Sequence, residues 1–219
     1  MIDNKVKIVF VGHVDHGKST LIGRLLYNTK SIAEDKLRDL ERNTPKGKKW
    51  DFSFLMDHFE EERKQGITID TAQIFFKTSK REYVIIDAPG HVELVGNMIT
   101  GAVQADAAVL IVDIVEGIQE QTKRHGYILS MLGIKQVIVA VNKMDLVDYS
   151  KEKYNKIVTE LHDFLTEINI NDFTSVPVSS TEGDNITERS EKTKWFVGKT
   201  FIELIDGIPR STEKSGRYT

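Results

Sequence analysis

Residues 12–19 read Gly-His-Val-Asp-His-Gly-Lys-Ser and directly follow the apolar run 6–11. This pattern, two spaced glycines closed by Lys and Ser, is typical of a loop that binds nucleotide phosphates between a strand and a helix. The glycines allow a tight turn that exposes backbone N–H groups at a helix N-terminus. Lys18 is expected to reach the β- and γ-phosphates, and the Ser19 hydroxyl to ligate Mg²⁺. The alternative is a coincidental Gly-Lys-Ser turn, against which the preceding strand and both glycines argue.

Residues 142–145 read Asn-Lys-Met-Asp and follow the apolar run 137–141, at the carboxyl end of a predicted buried strand. Open α/β sheets bind their ligands at this end of the strands. The Asp145 carboxylate can accept hydrogen bonds from guanine N1–H and the 2-amino group, donors that adenine lacks at those positions. A site built around such bonds rejects the other base by on the order of 10⁴-fold. An ordinary polar turn is the alternative interpretation; behind a phosphate loop, the tetrapeptide predicts GTP and GDP as ligands.

A third motif, residues 87–91, reads Asp-Ala-Pro-Gly-His and ends the predicted strand 82–87. Asp87 can hold Mg²⁺ through water, opposite the phosphate-loop serine. Gly90 can offer its backbone N–H to a γ-phosphate and change conformation when that phosphate leaves. His91 would then lie beside the attacking water. The alternative for His91 is a structural histidine at a helix start, without a chemical role.

The long stretch before the second predicted strand ends in Arg-Lys-Gln-Gly-Ile-Thr, residues 63–68. Thr68 is placed to give Mg²⁺ a second hydroxyl when the γ-phosphate is present, although a β-branched residue that opens a strand is the alternative. Two short helical patterns, about 33–42 and 53–64, precede it. Long excursions from a compact domain are usually functional or mobile. The segment 31–68 is therefore predicted to be a nucleotide-sensing switch.

The hydrophobic pattern of the sequence predicts the strands and helices that position these motifs. Strands 71–77 and 82–87 are joined by a short polar turn and are expected to form an antiparallel hairpin. The other connections carry helices, which implies parallel strands with right-handed crossovers. The predicted fold is a P-loop three-layer α/β/α sandwich with a mostly parallel six-stranded sheet and one antiparallel edge strand. The predicted strands are 5–11, 71–77, 82–87, 107–113, 136–142 and 174–179, and the predicted helices are 18–28, 92–104, 119–132, 150–168 and 195–206.

Composition excludes several classes of protein. The 219 residues have 40% hydrophobic and 29% charged content, as an ordinary globular core does. The net charge of −3 gives no overall basic signature, so no DNA partner is expected. Cysteine is absent, so disulfides and thiolate metal sites are excluded, which fits the reducing cytoplasm. No apolar run is long enough to span a membrane, and no signal peptide is recognised. Residues 1–210 are interpreted as one domain, and residues 211–219 as a linker.

With these motifs in place, the chain resembles the GTPase domain of translation-factor-type GTPases. Two further segments, Asn-Met-Ile-Thr-Gly at 97–101 and Gly-Asp-Asn-Ile at 183–186, are similar to the elongation factor 1-alpha branch. Full-length members of this family continue into two β-barrel domains, so the chain is expected to be one domain of a longer protein. The motifs that carry the resemblance are residues 12–20, 66–70, 87–91 and 142–145.

Other stretches look closer to the GTPase large subunit of bacterial ATP sulfurylase, which acts with a separate catalytic small subunit. The phosphate loop departs from that pattern, because those subunits often carry Ser-Val-Asp-Asp-Gly where this chain keeps His13 and His16, as elongation factors do. On balance the resemblance favours sulfate activation, with an ATP sulfurylase small subunit as partner. The alternative is a translation factor that delivers a tRNA or another factor to the ribosome. The stretches concerned are residues 21–27, 121–125, 132–135 and 143–150.

The resemblance implies a role for each matching residue. Val14 and Ile67 match an apolar pair that gates the approach of His91 to water, and Ser180 stands where the family usually has Ala. The implied phosphate contacts are Asp15, His16, Gly17, Lys18, Ser19 and Thr20. The implied base contacts are Asn142, Lys143, Asp145, Ser179 and Ser180. The implied catalytic residues are His91, Thr68, Lys18 and Gly90, and the implied Mg²⁺ ligands are Ser19, Thr68 and, through water, Asp87.

Three classes of function are therefore compared. A GTP-hydrolysing switch enzyme uses every motif above. A binding module that has lost hydrolysis is disfavoured because Thr68, Asp87, Gly90 and His91 are all present. An ATP-driven kinase or ATPase is disfavoured by Asp145, whose carboxylate suits guanine.

Overall fold

The computed structural model describes residues 5–44, 50–55, 73–87 and 105–209. Within them, the chain forms six strands and five α-helices. The strands are β1 (Val6–Gly12), β2 (Gln73–Lys77), β3 (Glu82–Asp87), β4 (Ala107–Asp113), β5 (Val137–Asn142) and β6 (Phe173–Pro177). The helices are α1 (Lys18–Asn28), α2 (Glu34–Asn43), α3 (Glu120–Met131), α4 (Lys151–Glu167) and α5 (Phe201–Asp206), with 3₁₀ turns at Met144–Val147 and Glu191–Thr193.

The six strands form one sheet in the order β2-β3-β1-β4-β5-β6. The edge strand β2 is antiparallel to β3, and every other pair is parallel. Register brings strand ends together: Phe10 lies opposite Asp87, and Asp113 lies opposite Asn142. The predicted fold class is thus confirmed, and the predicted functional segments after β1, β3 and β5 leave the same edge of the sheet.

Side chains alternate along β1 between two buried clusters, which lie on opposite faces of the sheet. Ile8 and Phe10 pack with α1, α2 and α5 on one face. Val9 and Val11 pack with α3 and α4 on the other face. Because both faces are covered, the central strands are mostly apolar, as in other parallel sheets. The result is three layers, with the phosphate loop at the end of β1, which is buried except for the partly buried Lys7.

Within the described residues, element boundaries differ from the sequence predictions by more than one residue in two places. The helix predicted over 195–206 is too long, because α5 begins at Phe201. Thr200 has extended backbone, and its side chain caps the helix reciprocally with Glu203. Strand β6 ends at Pro177 rather than at 179, because the next residues turn into the candidate site.

Some predictions fall outside the described part of the chain. The predicted pattern at 33–42 is confirmed as α2, whereas only residues 53–55 of the pattern predicted at 53–64 are described. The predicted helix 92–104 and the linker 211–219 lie outside the described residues. In the described segments, no helix has both the length and the apolar character needed to cross a bilayer.

Candidate functional site

The phosphate loop connects the end of β1 to the start of α1. Asp15 and Gly17 have positive φ angles of 66° and 87°, so left-handed residues flank His16 in a tight turn. Successive N–H groups in such a turn form an anion-binding concavity. Helix α1 begins behind Gly17 without a side-chain cap and without an acidic residue in its first turn. The first N–H groups of α1 are therefore suited to an anionic ligand.

The Asn142 side chain joins the phosphate loop to the segment that follows β6. Its Nδ2 donates a hydrogen bond to the His16 carbonyl at 2.9 Å. Its Oδ1 accepts hydrogen bonds from the Ser180 backbone N–H at 3.0 Å and from the Ser180 hydroxyl at 2.8 Å. Asn142 and Ser180 are both buried. One amide therefore fixes the spacing between the two predicted contact regions, phosphate and base.

The Asp145 carboxylate is oriented by Ser179. The buried Ser179 hydroxyl donates to Asp145 Oδ1 at 2.5 Å. Asp145 lies in a 3₁₀ turn that begins after Lys143, a residue with left-handed backbone. The structure thus brings together all five predicted base contacts: Asn142, Lys143, Asp145, Ser179 and Ser180.

Lys143 forms an ion pair that the sequence analysis missed. Its Nζ lies 2.7 Å from Oδ2 of Asp113, a buried residue at the end of β4. Burial alone would raise the pKa of Asp113, but Lys143 and the backbone N–H groups of Val115 and Glu116 bind the carboxylate and hold that pKa below its ordinary value. The ionised Asp113 fixes the Lys143 ammonium. The available signal was an acid that ends an apolar strand, the pattern that also marks Asp87.

The His16 imidazole lies beneath the phosphate loop and is wholly buried. Its Nδ1 lies 3.2 Å from the Asp113 backbone nitrogen and 3.4 Å from the Ile111 carbonyl oxygen, so the ring tautomer decides whether Nδ1 accepts from the first or donates to the second. Its Nε2 lies 3.3 Å from a carboxylate oxygen of Glu116. Burial lowers the pKa of His16, so the neutral ring is favoured. A nucleotide contact by His16 would therefore come from its backbone.

Helix α3 packs against the back of the same loop. The Gln121 side chain accepts a hydrogen bond from the Val14 backbone N–H at 3.3 Å. His125 is buried, and burial together with the nearby Lys18 and His13 lowers its pKa to about 4. The His13 and His16 rings meet edge to face, with centroids 5.0 Å apart. Two buried histidines that favour the neutral form, His16 and His125, thus lie at this loop, and the sequence patterns assigned neither of them to this role.

The structure describes part of the predicted Mg²⁺ site. Ser19 lies in the first turn of α1, and Asp87 ends β3 beside β1. Hydroxyl and carboxylate oxygens are the hard donors that suit Mg²⁺, so the residue types at this edge fit the ion. The Asp87 side chain and the predicted residues Thr68, Gly90, His91 and Ile67 lie outside the described part of the chain. Lys18 and Thr20 lie in the same turn of α1 as Ser19.

The fold and this arrangement define a nucleotide-binding protein of the phosphate-loop class. The chain belongs to the family described as the elongation factor Tu GTP binding domain, whose model matches residues 3–210. The predicted resemblance to translation-factor-type GTPases is thereby confirmed at the level of the family.

Curated relatives support the same family. Elongation factor 1-alpha of Thermococcus onnurineus is 49% identical over 204 residues, which cover 93% of this chain and 48% of that protein. Elongation factor 1-alpha of Pyrococcus furiosus is 48% identical over 204 residues, which again cover 93% of this chain and 48% of that protein. The chain spans about half the length of the curated relatives it matches.

Solved structures show the same fold. Sup35 complexed with GMPPNP is 28% identical, with a TM-score of 0.66 over 93% of this chain and 44% of that chain. A bacterial selenocysteine-specific elongation factor is 30% identical, with a TM-score of 0.62 over 94% of this chain and 29% of that chain. The S. cerevisiae Ski7 GTPase-like domain bound to GTP has a TM-score of 0.74 over 92% of this chain and 49% of that chain; at 23% identity it supports the fold alone.

These relatives favour the translation alternative over the sulfate-activation interpretation. The ATP sulfurylase resemblance remains a local one, and the comparisons do not support it.

Proposed function

We propose that this chain is the GTP-binding and GTP-hydrolysing domain of a translation factor related to elongation factor 1-alpha. The observation that carries the proposal is the Asn142 amide, which connects the phosphate loop to Ser180. Beside it, Ser179 orients the Asp145 carboxylate. A site that positions phosphates and a guanine-selecting carboxylate together is suited to GTP and GDP.

Each side of the site has its own task in this proposal. The phosphate loop and the start of α1 bind the phosphates through backbone N–H groups, and Lys18 neutralises the β- and γ-phosphates. Asp145 accepts the guanine N1–H and 2-amino hydrogen bonds, while the Lys143 ammonium is paired with Asp113. Ser19, Thr68 and, through water, Asp87 would hold Mg²⁺. When bound, Mg²⁺ neutralises charge on the β- and γ-phosphate oxygens.

Hydrolysis is assigned to residues of the switch segments. His91 would orient the attacking water, with Gly90 and Thr68 sensing the γ-phosphate, as the resemblance implies. Intrinsic turnover in such enzymes is slow, on the order of 10⁻⁴ to 10⁻² s⁻¹, because a partner normally completes the site.

The proposed partners are the ribosome and a tRNA or protein factor, with the cytoplasm as the place of action. The elongation factor 1-alpha relatives, at 47–49% identity, support this assignment. Residues 1–210 would form the GTPase domain, with the switch segment 31–68 inside it and residues 211–219 leading into the rest of a longer protein.

Calorimetry tests the nucleotide assignment. The domain with Mg²⁺ should bind GDP and GTP and should show no measurable affinity for ADP or ATP at the same concentrations. Single-turnover assays should then show slower GTP hydrolysis for His91→Ala with nearly unchanged GTP affinity. Equal binding of ADP and GDP would overturn the proposal.

A second experiment tests the partner, using the longer protein that contains this domain. We expect GTP-dependent binding to ribosomes or to aminoacyl-tRNA, weaker with GDP. Complex formation with an ATP sulfurylase small subunit, together with GTP-stimulated adenylyl sulfate synthesis, would move the assignment back to sulfate activation.

A further inference from the structure

Arg24 on α1 joins the loop that follows β6 to the segment at residues 50–55. Its Nε–H donates to the Ser180 carbonyl at 3.0 Å, and an N–H on a terminal guanidinium nitrogen donates to the Thr181 carbonyl. On its other side, the guanidinium carbon lies 4.2 Å from the centre of the Phe52 ring. A planar guanidinium can bind two carbonyls in its plane and stack on an aromatic face, which a lysine ammonium cannot reproduce.

Phe52 is firmly placed by the helix beneath it. Only 2% of Phe52 is exposed. A Cβ on Gly23 would lie 2.3 Å from the Phe52 carbonyl oxygen, so only glycine allows this approach to α1. The rings of Tyr27 and Trp50 pack against Phe52, with centroids 5.4 and 6.2 Å away. Residues 50–55 are therefore coupled to α1 through close packing.

The loop on the other side of Arg24 carries base-selecting residues. Arg24 holds the Ser180 carbonyl, while the Ser180 N–H and hydroxyl bind Asn142. The same loop turns at Gly183, whose φ is +87°, and a Cβ there would lie 3.3 Å from an Arg24 terminal nitrogen. The loop thus wraps around the guanidinium. A displacement of Arg24 would move Ser180 relative to its neighbours Ser179 and Asn142.

We propose that Arg24 is a positioning residue that couples the base-selecting loop to the Phe52 segment, so that guanine-nucleotide affinity depends on the Arg24–Phe52 contact. This inference rests on the proposed function, since it concerns the same guanine site. Coupling of this kind is reciprocal: nucleotide binding must stabilise residues 50–55 as much as those residues stabilise nucleotide binding. The segment lies in the stretch that leads toward Thr68, so the coupling links base recognition with the predicted switch.

The first test measures GDP release in stopped-flow experiments with a fluorescent GDP. Arg24→Gln should release GDP about tenfold faster than the parent, because hydrogen bonds from a charged donor are lost. The release rate of Arg24→Lys should lie between those of the parent and Arg24→Gln, since lysine keeps the positive charge but lacks the planar guanidinium. Phe52→Leu should also accelerate release, and the Arg24→Gln/Phe52→Leu double variant should show less than the product of the two effects. Arg38→Gln is the matched control, because Arg38 is 70% exposed on α2, and its release rate should equal that of the parent.

The second test uses Trp50, which contacts Phe52, as a spectroscopic reporter. In a Trp195→Phe background, Trp50 is the one remaining tryptophan of the chain. GDP binding should change its emission in the parent, and this change should be lost in Arg24→Gln even at saturating GDP. A residue that merely stabilises the fold would leave the signal in place.

The outcomes separate the inference from the proposed function. A parent domain that binds no GDP overturns the proposed function. If the parent binds GDP and Arg24→Gln, Arg24→Lys and Phe52→Leu all release GDP at the parent rate, the role of Arg24 is overturned. The same holds if Arg24→Gln keeps the GDP-induced change in Trp50 emission.

Discussion

The side-chain amide of Asn142 donates to the backbone carbonyl of His16 at 2.9 Å, so a residue at the end of β5 holds the phosphate loop in place. The same amide binds Ser180 through its oxygen. Base recognition and phosphate binding therefore depend on one another through a single buried side chain.

Asn142→Ala should weaken both parts of the site. The His16 carbonyl and the Ser180 N–H would be left without their partner, at a cost of about 2–4 kcal/mol in unfolding free energy. GDP affinity should fall about 100-fold or more, because both contact regions lose their relative position. Denaturant unfolding and calorimetry measure the two effects. Asn142→Asp, which keeps the shape but cannot donate to His16, should resemble Asn142→Ala; parent-like GDP binding by Asn142→Asp would contradict this account.

Gly17→Ala should abolish nucleotide binding. Gly17 has φ +87°, and an added Cβ would lie 2.4 Å from Asn142 Nδ2. The clash forces the asparagine or the loop to move. Gly133→Ala is the matched control, since its φ of +69° imposes similar backbone strain with no atom within 4 Å of the new Cβ. The control should lose about 1 kcal/mol of stability and no GDP affinity. Equal GDP affinities of the two variants would show that the clash is unimportant.

The phosphate loop and the base-selecting tetrapeptide could be predicted from sequence because each is a contiguous pattern beside an apolar strand. The sheet could be predicted for the same reason. The Lys143–Asp113 ion pair could not, because Asp113 ends β4 while Lys143 follows β5, and the two meet only through the β4–β5 register. The contact of Arg24 with Ser180 likewise joins residues 156 positions apart. Contacts between residues so far apart in the sequence cannot be predicted from a local pattern.

Ser180→Ala should have a small effect. The Ser180 hydroxyl adds one hydrogen bond to Asn142 beside the backbone N–H bond. Loss of that bond should lower the unfolding free energy by about 1 kcal/mol and change GDP affinity only a few-fold. Ser179→Ala, which releases Asp145 Oδ1, should reduce GDP affinity more strongly. Calorimetry on the two variants compares them directly; the reverse order would contradict the assigned roles.

His125 should make the domain less stable in acid. Its pKa falls from the ordinary 6.5 to about 4 in the folded protein, so the unfolded chain binds the extra proton between these values. The contribution of neutral His125 to the free energy of unfolding is therefore fully present above about pH 6.5. It is lost as the pH falls toward 4, by about 2 kcal/mol at pH 5. His125→Asn should remove this part of the pH dependence and leave the contribution of His16, whose pKa is also lowered by burial. Urea unfolding at pH 7.5 and 5 measures the difference, and an unchanged pH dependence in the variant would refute the prediction.

The most direct test of guanine recognition is the nucleotide preference of Asp145→Asn. The change keeps an oxygen that can accept the Ser179 hydroxyl, so the surrounding geometry should persist. The amide can donate where the carboxylate only accepts, which suits the 2-carbonyl of xanthine rather than the 2-amino group of guanine. Calorimetry with GDP, XDP and ADP should show the parent binding GDP alone and the variant binding XDP more tightly than GDP. A variant that keeps the parent's preference for GDP would contradict the assignment of Asp145 as the base-selecting residue.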